Sequence, residues 1–219
     1  MAGHLPTLSY YMTRDDVELL ERETLFQGWL RLERHKLRHA LFQGGVSRVF
    51  TRELLIRNAA VALLPYDPVT DRVCLIEQFR CGLLAGGESP HENPWSIEMV
   101  AGLMDKTEST EDVARREAHE EAGVTVKRVR ALPGGFTMPG SCDEFFHFFV
   151  GEVDLPDTQS KIYGLVEEDE NIKTHIISRA EAIEWMDSGK IRNLPTLYCL
   201  SWFARFGESL RAEWMVQSK

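Results

Sequence analysis

A chain of 219 residues, 43% hydrophobic and 27% charged, is long enough to bury a sizeable core. Its 34 Asp and Glu against 25 Lys and Arg give a net charge of −9, which speaks against duplex nucleic acid or an anionic membrane as partner, because phosphate surfaces need a basic face. No apolar run nears the roughly 20 residues that span a bilayer, the opening "MAGHLPTLSYYMTRDDVELL" lacks the pattern of a secretion signal, and the four cysteines form no CxxC pair. A cytoplasmic protein is expected, with Cys74, Cys81, Cys142 and Cys199 reduced and neither a disulfide framework nor a zinc site.

In chain order, "FQGWLRLERHKLRHALFQG", Phe26 to Gly44, partly alternates apolar and polar residues as half-buried strands do. "NAAVALLPYDPVTDRVCLIEQFR" reads as a buried strand, a turn from Pro65 to Asp71, and a second buried strand ending at Arg80. Gly82 to Pro94 is rich in Gly and Pro and reads as a long loop, and "WSIEMVAG" as one short strand. A helix follows, with Ser109 and Asp112 placed as a capping box and Gly123 where a left-handed residue ends it. Strands are expected in Val126 to Phe136, Glu144 to Val153 and "IKTHIIS". Ser178 and Gly189 bracket a further helix, and Pro195 opens the last one. Strands flanked by a few helices give an α/β (α+β) sandwich.

The helix from Ser109 to Gly123 carries the chemistry. Glu117 and Glu121 lie one turn apart on one face with Glu120 beside them, and like charges at that spacing weaken a helix by roughly 0.2–0.5 kcal/mol per pair. A cation between them removes the penalty. Carboxylates on one face are hard oxygen ligands suited to Mg²⁺, with Mn²⁺ as a substitute, and Arg116 is placed to hold a carboxylate rotamer. The plain reading of a lone "REAHEE" is a solvated charged face.

The wider spacing overrides that reading. Gly102, Glu108, Arg116, Glu117, Glu120, Glu121 and Gly123 fall on the pattern GX5EX7REUXEEXGU, where U is apolar, so the chain resembles the Nudix hydrolase superfamily. The resemblance implies an α/β/α sandwich with a mixed sheet and a divalent-cation site that cleaves a diphosphate linked to another moiety. "RETLFQGW", "LIEQFR", "PWSIEMVAGL", "VGEVD", "GLVEEDENI" and Pro139, sixteen residues after Gly123, are similar to the bacterial ADP-ribose pyrophosphatases of that superfamily.

That likeness implies residues 1–56 as a β-rich segment for dimerisation and substrate contact, and 57–219 as the Nudix hydrolase domain. It implies metal ligation by Glu117, Glu120, Glu121, Glu170 and the carbonyl of Ala101, and catalytic roles for Glu168 as base, Glu120 and Arg116. Glu167, Glu168, Asp169 and Glu170 are all acidic, so the register within that loop stays open. Substrate contacts are implied for Arg80, Leu103 and Pro139, and for Trp29, Arg52 and Glu53 from a partner subunit. The reaction implied is Mg²⁺-dependent hydrolysis of ADP-ribose to AMP and ribose 5-phosphate by a homodimer. The alternatives are a nucleoside-diphosphate-sugar pyrophosphatase, for instance one acting on GDP-mannose, or a non-catalytic ligand-sensing Nudix domain.

Overall fold

A computed structural model of the chain describes residues 12–85, 93–104, 107–157 and 160–217. Its backbone divides into two units, one comprising Met1–Arg57 with Met138–Asp143, the other Asn58–Thr137 with Glu144–Lys219.

The first unit is an antiparallel sheet of β1 (Val17–Gln27), β2 (Arg31–His39) and β3 (Phe50–Ile56), in that order. The segment 138–143 joins β3: the Leu55 N–H donates to the Ser141 carbonyl at 2.8 Å, and the Arg57 N–H to Asp143 Oδ1 at 2.7 Å. No sequence signal marked those six residues as part of this unit. Among the described residues of the unit only Glu33 and Cys142 are buried, while Phe26, Trp29, Phe42 and Val46 stand exposed. A three-stranded sheet with so little core is marginal by itself.

The second unit is built on a mixed sheet of eight strands. Its continuous path runs β10 (Ile162–Tyr163), β11 (Ile172–Ser178), β5 (Arg72–Phe79), β4 (Ala60–Asp67), β9 (Phe145–Glu152), β8 (Arg128–Phe136). Off that path β6 (Trp95–Glu98) pairs with β5 and β7 (Val100–Leu103) with β4. The β4–β9 pair is parallel and the others are antiparallel.

Alternation along the central strands makes two cores. Val61 and Leu63 of β4, with Cys74 and Ile76 of β5, face α2 (Thr110–Ala122) through its Val113, Ala114, Ala118 and Ala122. Ala62, Leu64, Tyr66, Val73 and Leu75 face the opposite side, against Ala182 of α3 (Arg179–Asp187) and Cys199, Leu200, Phe203, Leu210 and Trp214 of α4 (Leu194–Gln217). Every residue of β4 is buried, which is why its sequence reads as a continuous apolar run, and each Leu or Val so placed stabilises by roughly 1.5–3 kcal/mol. The expected α/β sandwich is the observed one.

Three local expectations need correction. Pro65 does not open a turn: it lies inside β4, opposite Gly151 in the parallel ladder, and the turn begins after Asp67, whose carboxylate accepts from the N–H groups of Val69 and Thr70. "WSIEMVAG" is two strands rather than one, because the Met99 N–H is diverted to Thr196 Oγ1 at 3.0 Å and the chain passes from β5 to β4 as its partner. The stretch expected as a loop from Gly82 instead lies partly in a short helix, α1 (Cys81–Ala85), and residues 86–92 fall outside the described residues. The two-residue β10 had no counterpart in the sequence reading. Among the described residues no helix is long and apolar enough to cross a membrane.

Candidate functional site

The acidic helix α2 is fixed at both ends by the expected residues. Ser109 Oγ accepts from the Asp112 N–H at 3.2 Å, and Gly123 closes the helix at φ 64°, where a side chain would be strained. Its small residues Ala114, Ala118 and Ala122 lie flat on the sheet, Ala118 with no exposure, so the helix backbone approaches β7 closely. That approach decides where two carboxylates go. Glu121 is 2% exposed and its Oε2 accepts from the Ala101 N–H at 2.9 Å. Glu117 lies against Gly102, where a Cβ would come within 2.6 Å of its Cγ and closer still to its carboxyl group.

Arg116 gathers Glu108, Glu117 and Glu120 around one guanidinium. Its Nε and Nη2 donate to Glu108 at 3.1 and 3.2 Å, and its Nη1 to Glu117 Oε1 at 2.8 Å and Glu120 Oε2 at 2.9 Å. Glu108 foremost holds this guanidinium above its ordinary pKa, with Glu117 and Glu120 adding to it. Burial pushes the Glu117 carboxyl up despite Arg116, and it pushes Glu121 well up, reinforced by the charges of Glu117 and Glu170.

Glu170 reaches this neighbourhood from the loop after β10. Gly164, at φ 104°, donates its N–H to the Glu120 carbonyl at 3.3 Å; Val166–Glu168 form one 3-10 turn, and Asp169 reverses the chain at φ 56°. The Glu170 side chain accepts from the Leu165 N–H at 3.1 Å, while Glu167, Glu168 and Asp169 are exposed. At the end of β5, Arg80 donates from Nε and Nη2 to Glu98 of β6, the shortest distance being 2.8 Å. Leu103 is exposed at the end of β7.

Of the sequence-predicted site residues, Ala101, Glu117, Glu120, Glu121, Glu170, Arg80, Leu103, Arg116 and Glu168 belong to the second unit. Trp29, Arg52, Glu53 and Pro139 belong to the first. There Trp29 is 83% exposed beneath the Arg57 guanidinium, Arg52 lies over the Phe50 ring, and Glu53 accepts from Arg34. The sequence reading missed Glu98 and Gln78. Both are buried on the face of the sheet that α2 covers, and an acid or amide inside an otherwise apolar strand is the signal that marks such residues.

Among the described residues no three His, Cys, Asp or Glu side chains converge tightly enough to chelate an ion, since Glu117 and Glu120 turn to Arg116. The donor chemistry fits a hard divalent cation all the same. Glu121 is a buried carboxylate that shares its surroundings with two other acids, and a cation would offset the burial, and with it the repulsion, that raise its pKa. His119 is exposed on the helix surface and His147 is edge-on to Phe145; neither touches the acidic group.

Comparison with known proteins agrees with this geometry. The family model described as NUDIX domain matches residues 56–197. The chain is 43% identical over 201 residues to a protein from Escherichia coli strain K12 named ADP-ribose pyrophosphatase, spanning 92% of this chain and 94% of that one. A protein of the same name from Haemophilus influenzae is 42% identical, with 93% of each chain covered. A Pectobacterium atrosepticum protein named GDP-mannose pyrophosphatase is 31% identical over 86% of this chain and 97% of its own. Among solved structures, one described as an ADP compounds hydrolase superposes with a TM-score of 0.64 over 88% of this chain and 96% of that one; at 19% identity that likeness concerns the fold.

Proposed function

Because this chain belongs to the Nudix family, we propose that it hydrolyses ADP-ribose to AMP and ribose 5-phosphate with a divalent cation, Mg²⁺ by preference and Mn²⁺ as a substitute. One observation carries the chemistry: Glu121 is buried yet bonded to the Ala101 N–H and pressed by Glu117 and Glu170, an arrangement that costs energy in a protein with no cation to receive. The identity to two relatives named ADP-ribose pyrophosphatase, over nine tenths of the chain, supports the substrate.

In this reading Glu117, Glu120, Glu121, Glu170 and the Ala101 carbonyl hold the metal. When bound, a divalent cation neutralises charge on the pyrophosphate oxygens and makes water a better nucleophile. The protein supplies the rest. Arg116 keeps Glu117 and Glu120 in one orientation and ties them to Glu108. Arg80 meets a phosphate with a planar, permanently charged donor. Glu168, exposed on the 3-10 turn, takes the proton of the attacking water at its carboxylate.

Recognition of the nucleotide falls to Leu103 and Pro139, and to Trp29, Arg52 and Glu53 of a second copy of the chain. The exposed apolar residues of the first unit, left with almost no core of its own, support a homodimer formed there. Nudix enzymes naturally lend themselves to a second reading, and the Pectobacterium atrosepticum relative favours GDP-mannose in that place.

Turnover of ADP-ribose and GDP-mannose, side by side in millimolar Mg²⁺, tests the proposal. ADP-ribose cleavage that is lost in Glu121→Gln is expected. Cleavage of GDP-mannose alone moves the protein to the second reading, and no cleavage of either favours a ligand sensor.

A further inference from the structure

Antiparallel pairing of Ile76 with Glu98 and of Gln78 with Ser96 sets a row of polar side chains on the face of the sheet that α2 covers. Glu98 is 4% exposed, and both of its oxygens accept from Arg80: Nε at 3.2 Å to each, Nη2 at 2.8 Å to Oε2. The buried Gln78 leaves its Nε2 without a partner among the described residues, so Glu98 serves Arg80 and not its nearer neighbour on the strand. Arg80 itself is half in solvent, its side chain 44% exposed, and among the described residues its hydrogen bonds run from Nε and Nη2, not from Nη1.

An acid so deeply buried is costly unless its charge is matched, and an apolar residue of similar volume fills such a place at no loss of stability. The pairing therefore has a use other than stability. We propose that Glu98 is a positioning residue of the reaction: it clamps Nε and Nη2 of Arg80, so that the guanidinium is held in one plane with Nη1 presented to the pyrophosphate of the substrate. A long arginine side chain loses much rotamer freedom when it binds, and a clamp set in advance removes that cost from the binding step. The neighbouring acids make the clamp more necessary, because the charges of Glu121 and Glu170 also attract Arg80 and would draw an untethered guanidinium into the acidic group. The proposal rests on the reading of Arg80 as a phosphate-binding residue.

The test is steady-state kinetics on ADP-ribose and GDP-mannose for the wild type, Glu98→Gln, Glu98→Asp, Arg80→Ala and the double variant Arg80→Ala with Glu98→Gln, each checked for native melting. On whichever substrate the wild type cleaves, Glu98→Gln is expected to raise KM about tenfold with kcat changed less than about threefold. Glu98→Asp, which keeps the charge, recovers part of the loss, and the double variant is no worse than Arg80→Ala alone, because the two residues act as one unit. A KM within about twofold of wild type in Glu98→Gln, or additive losses in the double variant, overturns the clamp while leaving the activity in place. If Glu98→Gln fails to fold, Glu98→Asp decides alone: a KM raised more than about twofold towards that of Arg80→Ala supports the clamp, and a KM within about twofold of wild type overturns it. A wild type inactive on both nucleotides overturns the functional reading, and the clamp with it.

Discussion

Gly102 and Glu117 touch so closely that no other residue fits at position 102 while the carboxylate keeps its place. The obstruction is the flexible end of a side chain, not backbone, so Gly102→Ala expels Glu117 and leaves the fold standing. The expected result is a melting temperature lowered by the equivalent of about 1 kcal/mol and a metal-dependent rate reduced by about a hundredfold or more. Unfolding curves and turnover, measured on the same preparation, check both.

Replacing Glu121 by Gln separates stability from activity. Burial raises its pKa well above 4.5, so the ionised form is penalised in the folded state, and wild-type stability without metal declines as pH rises from about that value. Gln keeps the oxygen that accepts from Ala101 and carries no charge. Metal-free Glu121→Gln is therefore expected to melt above the wild type at pH 8 and to match it near pH 4. Added Mg²⁺ raises the wild-type melting temperature and leaves that of the variant unchanged, and turnover falls by about a hundredfold or more. Scanning calorimetry with and without Mg²⁺ reads all three.

Asp71 provides the opposite pH dependence. Burial works to raise its carboxyl, but Arg179, Tyr66 and Arg211 more than offset this and hold it below 3.8. Its stabilisation is present above the unfolded value and lost as pH falls through the lowered folded one. Asp71→Asn is expected to cost ~2 kcal/mol at pH 7, and the gap from wild type narrows steadily once pH drops below 3.8. Urea titrations at several pH values between neutrality and the acid limb measure the gap.

Gly164→Ala addresses the acidic loop without touching an acid. At φ 104° a side chain is strained, and its Cβ would come within 2.7 Å of the Glu170 Cβ. Turnover is expected to fall about tenfold or more with a small change in melting temperature, since only the loop is displaced. A normal rate in a well-folded variant would show that the position of Glu170 does not matter.

Sharing of a site between subunits is tested by mixing. Arg52→Ala and Glu121→Gln are each expected to be nearly inactive as homodimers. In a mixed dimer the intact Glu121 of one copy meets the intact Arg52 of the other, so an equal mixture, unfolded and refolded together, recovers about a quarter of wild-type activity. No recovery in a mixture shown to exchange subunits places Arg52 outside the partner's site.

The helix that carries Glu117, Glu120 and Glu121 was legible because its signals are local: Ser109, Gly123 and the spacing of the acids all lie within one element. β4 and β5 were legible for the same reason, through runs of apolar residues. What escaped depends on partners remote in the chain. The break at Met99 is made by Thr196, the placing of 138–143 by Leu55 and Arg57, and Glu98 acquires meaning only from Arg80, just past the neighbouring strand β5. Periodicity cannot report a hydrogen bond that spans a hundred residues.

The parallel pairing of β4 with β9 sets Ala60 beside Phe146, and the acidic helix lies in the chain between them. Bringing those strands together closes a long loop before any contact repays the entropy, a step that slows folding. The central strand waits for β9 to be completed on both edges, and the helix has no finished sheet to lie on before then. Refolding should accordingly show metal affinity arriving late, in the same kinetic phase as burial of β4.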